Sequence, residues 1–154
     1  MKLTFQPNSR DLADLASPEK ILERHGLGPM GPVQKAIDAE VIRQCEPYVP
    51  YDTGILAGSA SESTDIGSGQ VVYGSASAPY AHYQYYGEVY GPNFLVEVGG
   101  EMVWRSKKDV KKTPTGRKLQ YDKEVHPQAG SFWFERAMAD HKEDVLTAAK
   151  EAIR

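Results

Sequence analysis

Two parts of the chain carry apolar residues at helical spacing. In the first part, one apolar stripe is formed by Val33, Ala36, Ile37, Val41 and Cys45. This helix is predicted to begin around Gly31-Pro32 and to end at Pro47, because proline suits the first turn of a helix but not its interior. A second helix is predicted from Ser131, available as its cap, to about Ile153. Its broad apolar face consists of Phe134, Ala137, Met138, Val145, Ala149 and Ala152.

Between these helices the pattern changes to short apolar pieces separated by glycine. The predicted strands are Gln70-Val71-Val72-Tyr73, Phe94-Leu95-Val96-Glu97-Val98 and Met102-Val103-Trp104. Gly67-Ser68-Gly69 and Gly99-Gly100 are turn signals just before strands, so consecutive antiparallel strands are expected. A short helical turn is predicted for residues 80–87.

In the N-terminal part of the chain, the residue pattern predicts a short edge strand in the first few residues, followed by a helix. Ser17 serves as the cap of this helix and Pro18 as its first residue, and Gly26 and Gly28 end it. The order of all the predicted elements indicates an α+β fold. We expect an antiparallel sheet with helices packed on one face and a long C-terminal helix.

Length and composition predict a single domain over residues 1–154, since 154 residues that are 40% hydrophobic are enough for one core. The predicted parts are an N-terminal extension with the first helix (1–30), a helix and sheet (31–104), a basic loop (105–123) and the C-terminal helix (131–153). The single cysteine, Cys45, cannot form an internal disulfide, which is typical of proteins made in a reducing cytoplasm. The pattern predicts neither a signal peptide nor a membrane span, so no membrane partner is expected.

Charge is unevenly distributed along the chain. Residues 105–123 contain eight Lys or Arg against two Asp, a local net charge of +6, which leaves −9 for the rest of a chain whose total is −3. Like charges repel, and Pro114 and Gly116 oppose regular structure, so this basic segment is predicted to be a mobile loop. It is either a solvated insertion or a loop that contacts a partner or DNA. The candidate contact residues are Arg105, Lys107, Lys108, Lys111, Lys112, Arg117 and Lys118.

The sharpest catalytic motif is Asp52-Thr53-Gly54, since retroviral-type aspartic proteases pair two such triplets across a dimer. Val71-Val72-Tyr73-Gly74 loosely fits the second strand of such an enzyme. The first strand does not fit, because Pro50 cannot donate a hydrogen bond in a central strand. We therefore favour a structural turn of Pro50, Asp52, Thr53 and Gly54, in which Asp52 accepts backbone hydrogen bonds as an Asx-turn or helix cap.

The remaining polar residues suggest binding rather than catalysis. The four histidines lie far apart and no His or Cys pair has metal-ligand spacing, so no metal and no cofactor is expected. Cys45 lies on the apolar stripe of a helix, which keeps a thiol inert, and no nucleophile is assigned. Tyrosines crowd into residues 80–90 and form either core and rim or an interface with a partner. These candidate interface residues are Tyr80, Tyr83, Tyr85, Tyr86 and Tyr90.

Three stretches of the chain together resemble one known family. They are Tyr48-Val49-Pro50-Tyr51-Asp52-Thr53-Gly54-Ile55-Leu56, Pro79-Tyr80-Ala81-His82-Tyr83-Gln84-Tyr85-Tyr86-Gly87 and Ala129-Gly130-Ser131-Phe132-Trp133-Phe134-Glu135-Arg136-Ala137. In order and spacing they are similar to the minor capsid and tail-completion proteins, which join head to tail at the neck, of long-tailed phages of Gram-positive hosts and their prophages. In that family the first stretch leads into a short helix or strand, and the third enters a C-terminal helix.

The resemblance implies a virion protein that is made in the host cytoplasm and added at the neck, where it works by assembly and is not an enzyme. It implies a homo-oligomer, commonly a ring, whose partners are other neck or tail proteins such as connector or adaptor and tail-tube or terminator proteins. Two alternatives remain open. One is a dimeric aspartic protease that uses Asp52-Thr53-Gly54, and the other is a DNA-binding accessory protein that uses the basic segment.

Overall fold

The computed structural model describes residues 17–106 and 109–153. Within these ranges the chain is mixed α+β, as predicted, and ends in a long helix. Its five α-helices are α1 (Pro18–Arg24), α2 (Pro32–Cys45), α3 (Ile55–Ser63), α4 (Ala81–Tyr86) and α5 (Trp133–Ala152), and a 3-10 helix (Glu46–Tyr48) follows α2. Its four strands are β1 (Glu88–Gly91), β2 (Phe94–Val98), β3 (Glu101–Arg105) and β4 (Thr113–Lys118). The edge strand predicted for the first few residues lies outside the described residues, as do Lys107 and Lys108.

Proline fixes the start of the first two described helices, as predicted. Pro18 is the first residue of α1 and Pro32 the first of α2, where the missing N–H costs no helical hydrogen bond. Helix α2 ends at Cys45, one turn after its buried Val41, and Pro47 lies in the 3-10 helix that follows. The helical turn predicted for residues 80–87 is also confirmed as α4.

The strands form two separate two-stranded antiparallel sheets, β1–β4 and β2–β3. Gly99 and Gly100, with φ of +63° and +88°, join β2 to β3 in the positive-φ turn that matches the twist of a hairpin. The loop prediction for the basic segment is wrong for Thr113–Lys118, because β4 pairs with β1 from Glu88↔Lys118 to Gly91↔Thr113. Pro114 is tolerated there because a two-stranded sheet consists only of edge strands.

The strand predicted at Gln70-Val71-Val72-Tyr73 is wrong. This segment has no strand partner among the described residues, and side chains of the preceding segment bind its backbone instead. The Val72 N–H donates to Thr64 Oγ1 (3.0 Å), and the Gly74 N–H donates to Ser59 Oγ (2.9 Å). Thr64 caps the C-terminus of α3 and Ser59 lies within it, so this helix takes the place of a neighbouring strand.

The hydrophobic core lies between the helices, chiefly between α2 and α5, with the 3-10 helix at its edge. Its largest fully buried side chains include Trp133, Tyr48 and Val49. Helix α5 buries Trp133, Ala137 and Val145, and its backbone departs from helical geometry at His141 (φ −126°, ψ 15°).

Two details of the C-terminal helix prediction are wrong. The cap residue is Phe132, in the left-handed region at φ +50°, and Ser131 lies one residue before it. Phe134 is 45% exposed, whereas its neighbour Trp133 is buried. The predicted face is therefore displaced at the start of the helix, where one residue changes the direction of a side chain by about 100°.

Candidate functional site

The three sequence stretches that carry the family resemblance meet around the start of α5. The Gly130 N–H donates to the carbonyl oxygen of Tyr48 (3.1 Å), which joins the third stretch to the first. The Phe132 N–H donates to the carbonyl oxygen of Tyr85 (2.9 Å), which joins the third stretch to the second. Residues far apart in sequence thus form one contiguous unit held by backbone hydrogen bonds.

The Asp52-Thr53-Gly54 triplet is a bend directly before α3. Gly54, at φ +81°, is the cap residue of that helix, and no side chain caps it. Asp52 and Thr53 are exposed, and Pro50 is half-buried. The capping role predicted for Asp52 is therefore wrong, because the glycine backbone makes the turn.

The surroundings of the triplet differ from those of a strand-supported catalytic aspartate. The chain reaches Asp52 from the 3-10 helix Glu46–Tyr48 and not from a strand. Asp52 lines an open cleft of about 390 Å³, and Asp122 and Tyr121 lie on the wall of the same cleft.

The five candidate interface tyrosines divide between surface and interior. Tyr80 and Tyr86 are exposed, and Tyr83 and Tyr90 are half-buried with their ring centroids 4.6 Å apart. Tyr85 packs edge-on against Trp133, with ring centroids 4.7 Å apart, and its hydroxyl donates to Glu135 Oε2 (2.5 Å). Burial, followed by the hydrogen bond to the Glu135 carboxylate, raises the pKa of Tyr85. Tyr85 is thus a structural residue, and Tyr80 and Tyr86 are the accessible ones.

A cleft of about 630 Å³ opens beside this aromatic group, and we call it the apolar cleft. Helices α2 and α4, the start of α5 and residues 69–73 form its walls. Its apolar and aromatic lining consists of Ile37, Val41, Val71, Tyr73, Ala81, Tyr85, Tyr86, Trp133 and Phe134. Gln34, Asp38, Gly69 and His82 complete the wall. The volume falls in the range of roughly 300–1,000 Å³ that is typical of ligand pockets, so the cleft can admit a large side chain.

The β2–β3 hairpin, residues 94–105, is the most exposed apolar element of the described structure, and we call it the exposed hairpin. All ten of its strand residues are exposed. The register pairs Leu95 with Trp104 and Glu97 with Met102, which places these four side chains on one face. The other face carries Phe94, Val96, Val98 and Val103, together with Glu101 and Arg105. Both faces are thus rich in exposed apolar side chains.

The sequence predicted these two strands but not that both of their faces are exposed. A signal was present, because Phe94-Leu95-Val96 and Met102-Val103-Trp104 are continuous apolar runs rather than alternating ones. Continuous runs are typical of strands that are covered on both faces. Here no other described element provides that cover.

The basic residues do not come together in one loop. Arg105 ends β3, while Arg117 and Lys118 lie on β4, which belongs to the other sheet. Lys118 Nζ pairs with Glu88 Oε1 at 3.0 Å. In the connection between β3 and β4, Lys111 is exposed and Lys112 is half-buried.

Two buried groups of the core are structural rather than reactive. Burial raises the pKa of the Cys45 thiol to about 11, which keeps it protonated at neutral pH. The Asp38 carboxylate accepts hydrogen bonds from the Gly67 N–H (2.7 Å), the Gly69 N–H (3.1 Å) and Gln34 Nε2 (2.7 Å). Asp38 thereby joins α2 to the 67–69 turn.

Within residues 17–106 and 109–153, no group of three or more His, Cys, Asp or Glu is placed to hold a metal ion. No helix in the same ranges is both long and apolar enough to span a membrane. Comparison of the chain with protein-family models, with curated proteins and with solved structures finds no match.

Proposed function

We propose that this chain is a structural protein of a tailed-phage particle, a minor capsid or head-to-tail joining component that assembles at the neck. The observation that carries the proposal is the exposed hairpin, which presents apolar side chains on both faces. Exposed apolar patches and open strand edges usually mark surfaces that another protein covers. Such an element is expected in a chain that works by assembly, because a partner protein can cover it.

The arrangement of the three resembling stretches supports the same proposal. Main-chain hydrogen bonds connect these stretches, from Gly130 to Tyr48 and from Phe132 to Tyr85. The motif residues therefore act as a structural scaffold. The buried Trp133 and the inert Cys45 thiol belong to that scaffold as well. The motifs therefore need no catalytic role to explain their residue types.

The environment of Asp52 favours this proposal over the aspartic protease alternative. Catalytic aspartates of that class are held by strands and share a proton with a second aspartate across a dimer. Asp52 is exposed and follows a 3-10 helix, and its triplet ends in the glycine that caps α3. These features are those of a turn.

The partners under this proposal are further copies of the chain, in a ring, and the neck or tail proteins on either side. The exposed Tyr80 and Tyr86 supply contact area at low entropy cost for such partners. The exposed hairpin supplies exposed apolar side chains on both of its faces.

The test is deletion of the gene from the phage or prophage that encodes the chain. We expect separate heads and tails by electron microscopy, and joined particles after complementation with the wild-type gene. The Asp52→Asn variant should complement equally well, whereas loss of complementation together with loss of a peptide-cleaving activity would favour the protease. Normal, joined and infectious particles from the deletion strain would refute the proposal.

A further inference from the structure

We infer that the chain forms a two-fold dimer in which strand β3 of the exposed hairpin pairs antiparallel with β3 of a second copy. The inference goes beyond the proposed function, because it concerns one edge of the hairpin and leaves both of its faces for other proteins. It rests on the exposure of β3, on the order of its side chains, and on the direction of its main-chain groups.

The outer edge of β3 is placed for strand pairing. Strand β3 (Glu101–Arg105) pairs with β2 on one side, and the described residues contain no strand on its other side. All five of its residues are exposed. Such an edge is a template for pairing with another chain, and a two-stranded hairpin gains stability when further strands are added to it.

The side chains of β3 are self-complementary in one antiparallel register, the one centred on Val103. In that register Glu101 lies opposite Arg105 of the second copy, and Met102 lies opposite Trp104 of the second copy. Opposite charges that face each other across strands stabilise a sheet, and methionine sulfur packs favourably against aromatic rings. The two-fold symmetry makes each of these pairs twice.

Glu101 and Arg105 cannot pair with each other within one chain. They lie on the same face of the hairpin, but they are four residues apart along one strand, which is about 14 Å. Neither takes part in an ion pair within residues 17–106 and 109–153. A second copy in antiparallel orientation brings the opposite charges together, so the charge pattern of β3 fits β3 itself.

The main-chain groups of β3 fit the same register. Gly99-Gly100 forms a two-residue turn, and the residues that flank such a turn form a hydrogen-bonded pair. Hydrogen-bonded and non-hydrogen-bonded pairs alternate along a hairpin, so Met102 and Trp104 direct their N–H and C=O groups away from β2. In the register centred on Val103 these two residues face each other, and their main chains can exchange hydrogen bonds between the copies.

The outer edge of β2 lacks this complementarity. Antiparallel pairing of β2 with its own copy, centred on Val96, places Glu97 opposite the apolar Leu95. A carboxylate gains no partner from that contact. The interface therefore lies on β3, and the two hairpins form one four-stranded sheet. This contact is isologous and closes after two copies, so a larger ring requires a further, different contact.

Charge reversal at the two ends of β3 tests the register. Glu101→Arg and Arg105→Glu each place like charges opposite each other at both ends of the interface. Either variant of the full chain should raise the dissociation constant for self-association about tenfold or more, measured by analytical ultracentrifugation into the millimolar range. A one-to-one mixture of the two variants should associate as strongly as wild type, because both contacts are again between opposite charges.

The matched control for Glu101→Arg is Glu97→Arg. It makes the same change of charge at an exposed position of the same hairpin, but on β2 and on the other face. Alone it should leave the dissociation constant nearly unchanged, and mixed with Arg105→Glu it should not restore association. The control separates pairing in this register from a general effect of net charge.

Proline substitution tests which edge of the hairpin is used. Trp104→Pro removes an N–H that points away from β2, and proline is tolerated at such an edge position. It should raise the dissociation constant about tenfold or more. Leu95→Pro is the matched control, because Leu95 is the cross-strand partner of Trp104 and its N–H points away from β3. It should leave association unchanged, and amide NMR spectra of both variants check that the hairpin is retained.

Four results would overturn the inference. They are a wild-type chain that stays monomeric into the millimolar range, a mixture of charge variants that stays dissociated, equal rescue by Glu97→Arg, and an effect of Leu95→Pro as large as that of Trp104→Pro. If the chain is still required to join heads to tails, the neck proposal then stands without the dimer. A confirmed dimer of a chain that particles do not need would leave the strand pairing and refute the neck proposal.

Discussion

Among single residues, Asp38 stands out as a fully buried carboxylate. It is buried on α2 and accepts the N–H groups of Gly67 and Gly69, which lie about thirty residues further along the chain. Removal of a buried acceptor leaves its donors unpaired, which costs more than the hydrogen bonds themselves contribute. Asp38 therefore fixes the turn that leads into one wall of the apolar cleft.

We predict that Asp38→Ala lowers the free energy of unfolding by about 2–4 kcal/mol, because three donors lose their acceptor. Urea denaturation measures the change. The matched control is Asp65→Ala, an exposed aspartate of the same turn region, which should change stability by less than about 0.5 kcal/mol. Equal effects of the two substitutions would show that the Asp38 hydrogen bonds do not stabilise the fold.

Unlike substitution of Asp38, substitution of Asp52 is expected to have little effect on stability. Its side chain is exposed and does not cap α3, so Asp52→Asn and Asp52→Leu should each change the free energy of unfolding by less than about 0.5 kcal/mol. Thermal melting of the two variants beside wild type is the measurement. A loss of about 1 kcal/mol in Asp52→Leu alone would restore the capping role that the sequence suggested.

At the scale of elements, helix α5 is anchored by one residue at its start. Trp133 is fully buried, and Phe134 beside it is nearly half exposed. We predict that Trp133→Ala costs about 3–5 kcal/mol, whereas Phe134→Ala costs about 1 kcal/mol or less. Urea unfolding of the two variants beside wild type compares the two losses. A larger loss of stability in Phe134→Ala than in Trp133→Ala would mean that α5 packs on the core through the face that carries Phe134.

The basic segment behaves as two elements rather than one loop. Strand β4 pairs with β1, while the connection between β3 and β4 carries lysines without strand partners in the described part of the chain. We predict that trypsin cuts the free protein near Lys108 or Lys112 faster than at Arg117, because strand pairing holds Arg117. Mass spectrometry of the early fragments identifies the sites. If the chain assembles into particles, those particles should resist trypsin at these sites. Cleavage at Arg117 before cleavage near Lys108 or Lys112 would contradict the prediction.

At the scale of the whole molecule, a buried thiol and two half-buried tyrosines in or beside the core favour their protonated forms. Burial raises the pKa values of Cys45, Tyr73 and Tyr85 above their ordinary values. For each group the unfolded chain releases its proton at lower pH than the folded chain. The stabilisation is therefore complete below the unfolded pKa and is lost as pH rises toward the folded pKa.

We predict that the free energy of unfolding falls as pH rises from 9 to 11, the interval between the ordinary thiol pKa of 9.0 and the folded value of about 11 for Cys45. Cys45 should contribute about 1–3 kcal/mol of this fall, and the tyrosines add to it above pH 10. Urea unfolding at several pH values measures the slope. The Cys45→Ala variant should show a shallower slope over that interval, and an unchanged slope would exclude the thiol as a contributor.

Features set by neighbouring residues could be predicted from the sequence. Pro18 and Pro32 begin helices, the apolar stripe from Val33 to Cys45 forms α2, and Gly99-Gly100 makes the hairpin turn. Each depends on backbone geometry within a few residues, where proline and glycine restrict or widen the allowed dihedral angles. Of the candidate site, the sequence identified the tyrosine-rich segment and the bend at Asp52-Thr53-Gly54.

Features that depend on distant partners were decided only by the tertiary structure. Strand β4 pairs with β1, although the β2–β3 hairpin lies between them in sequence. The side chains of Ser59 and Thr64, in the α3 region, hydrogen-bond to the backbone of the segment predicted as a strand. The exposed faces of the 94–105 hairpin and the apolar cleft also emerge only after packing, since burial is a property of the assembled chain. Local propensities are set by a few adjacent residues, whereas burial and strand pairing are set by contacts between residues far apart in sequence, and a one-dimensional pattern does not contain those contacts.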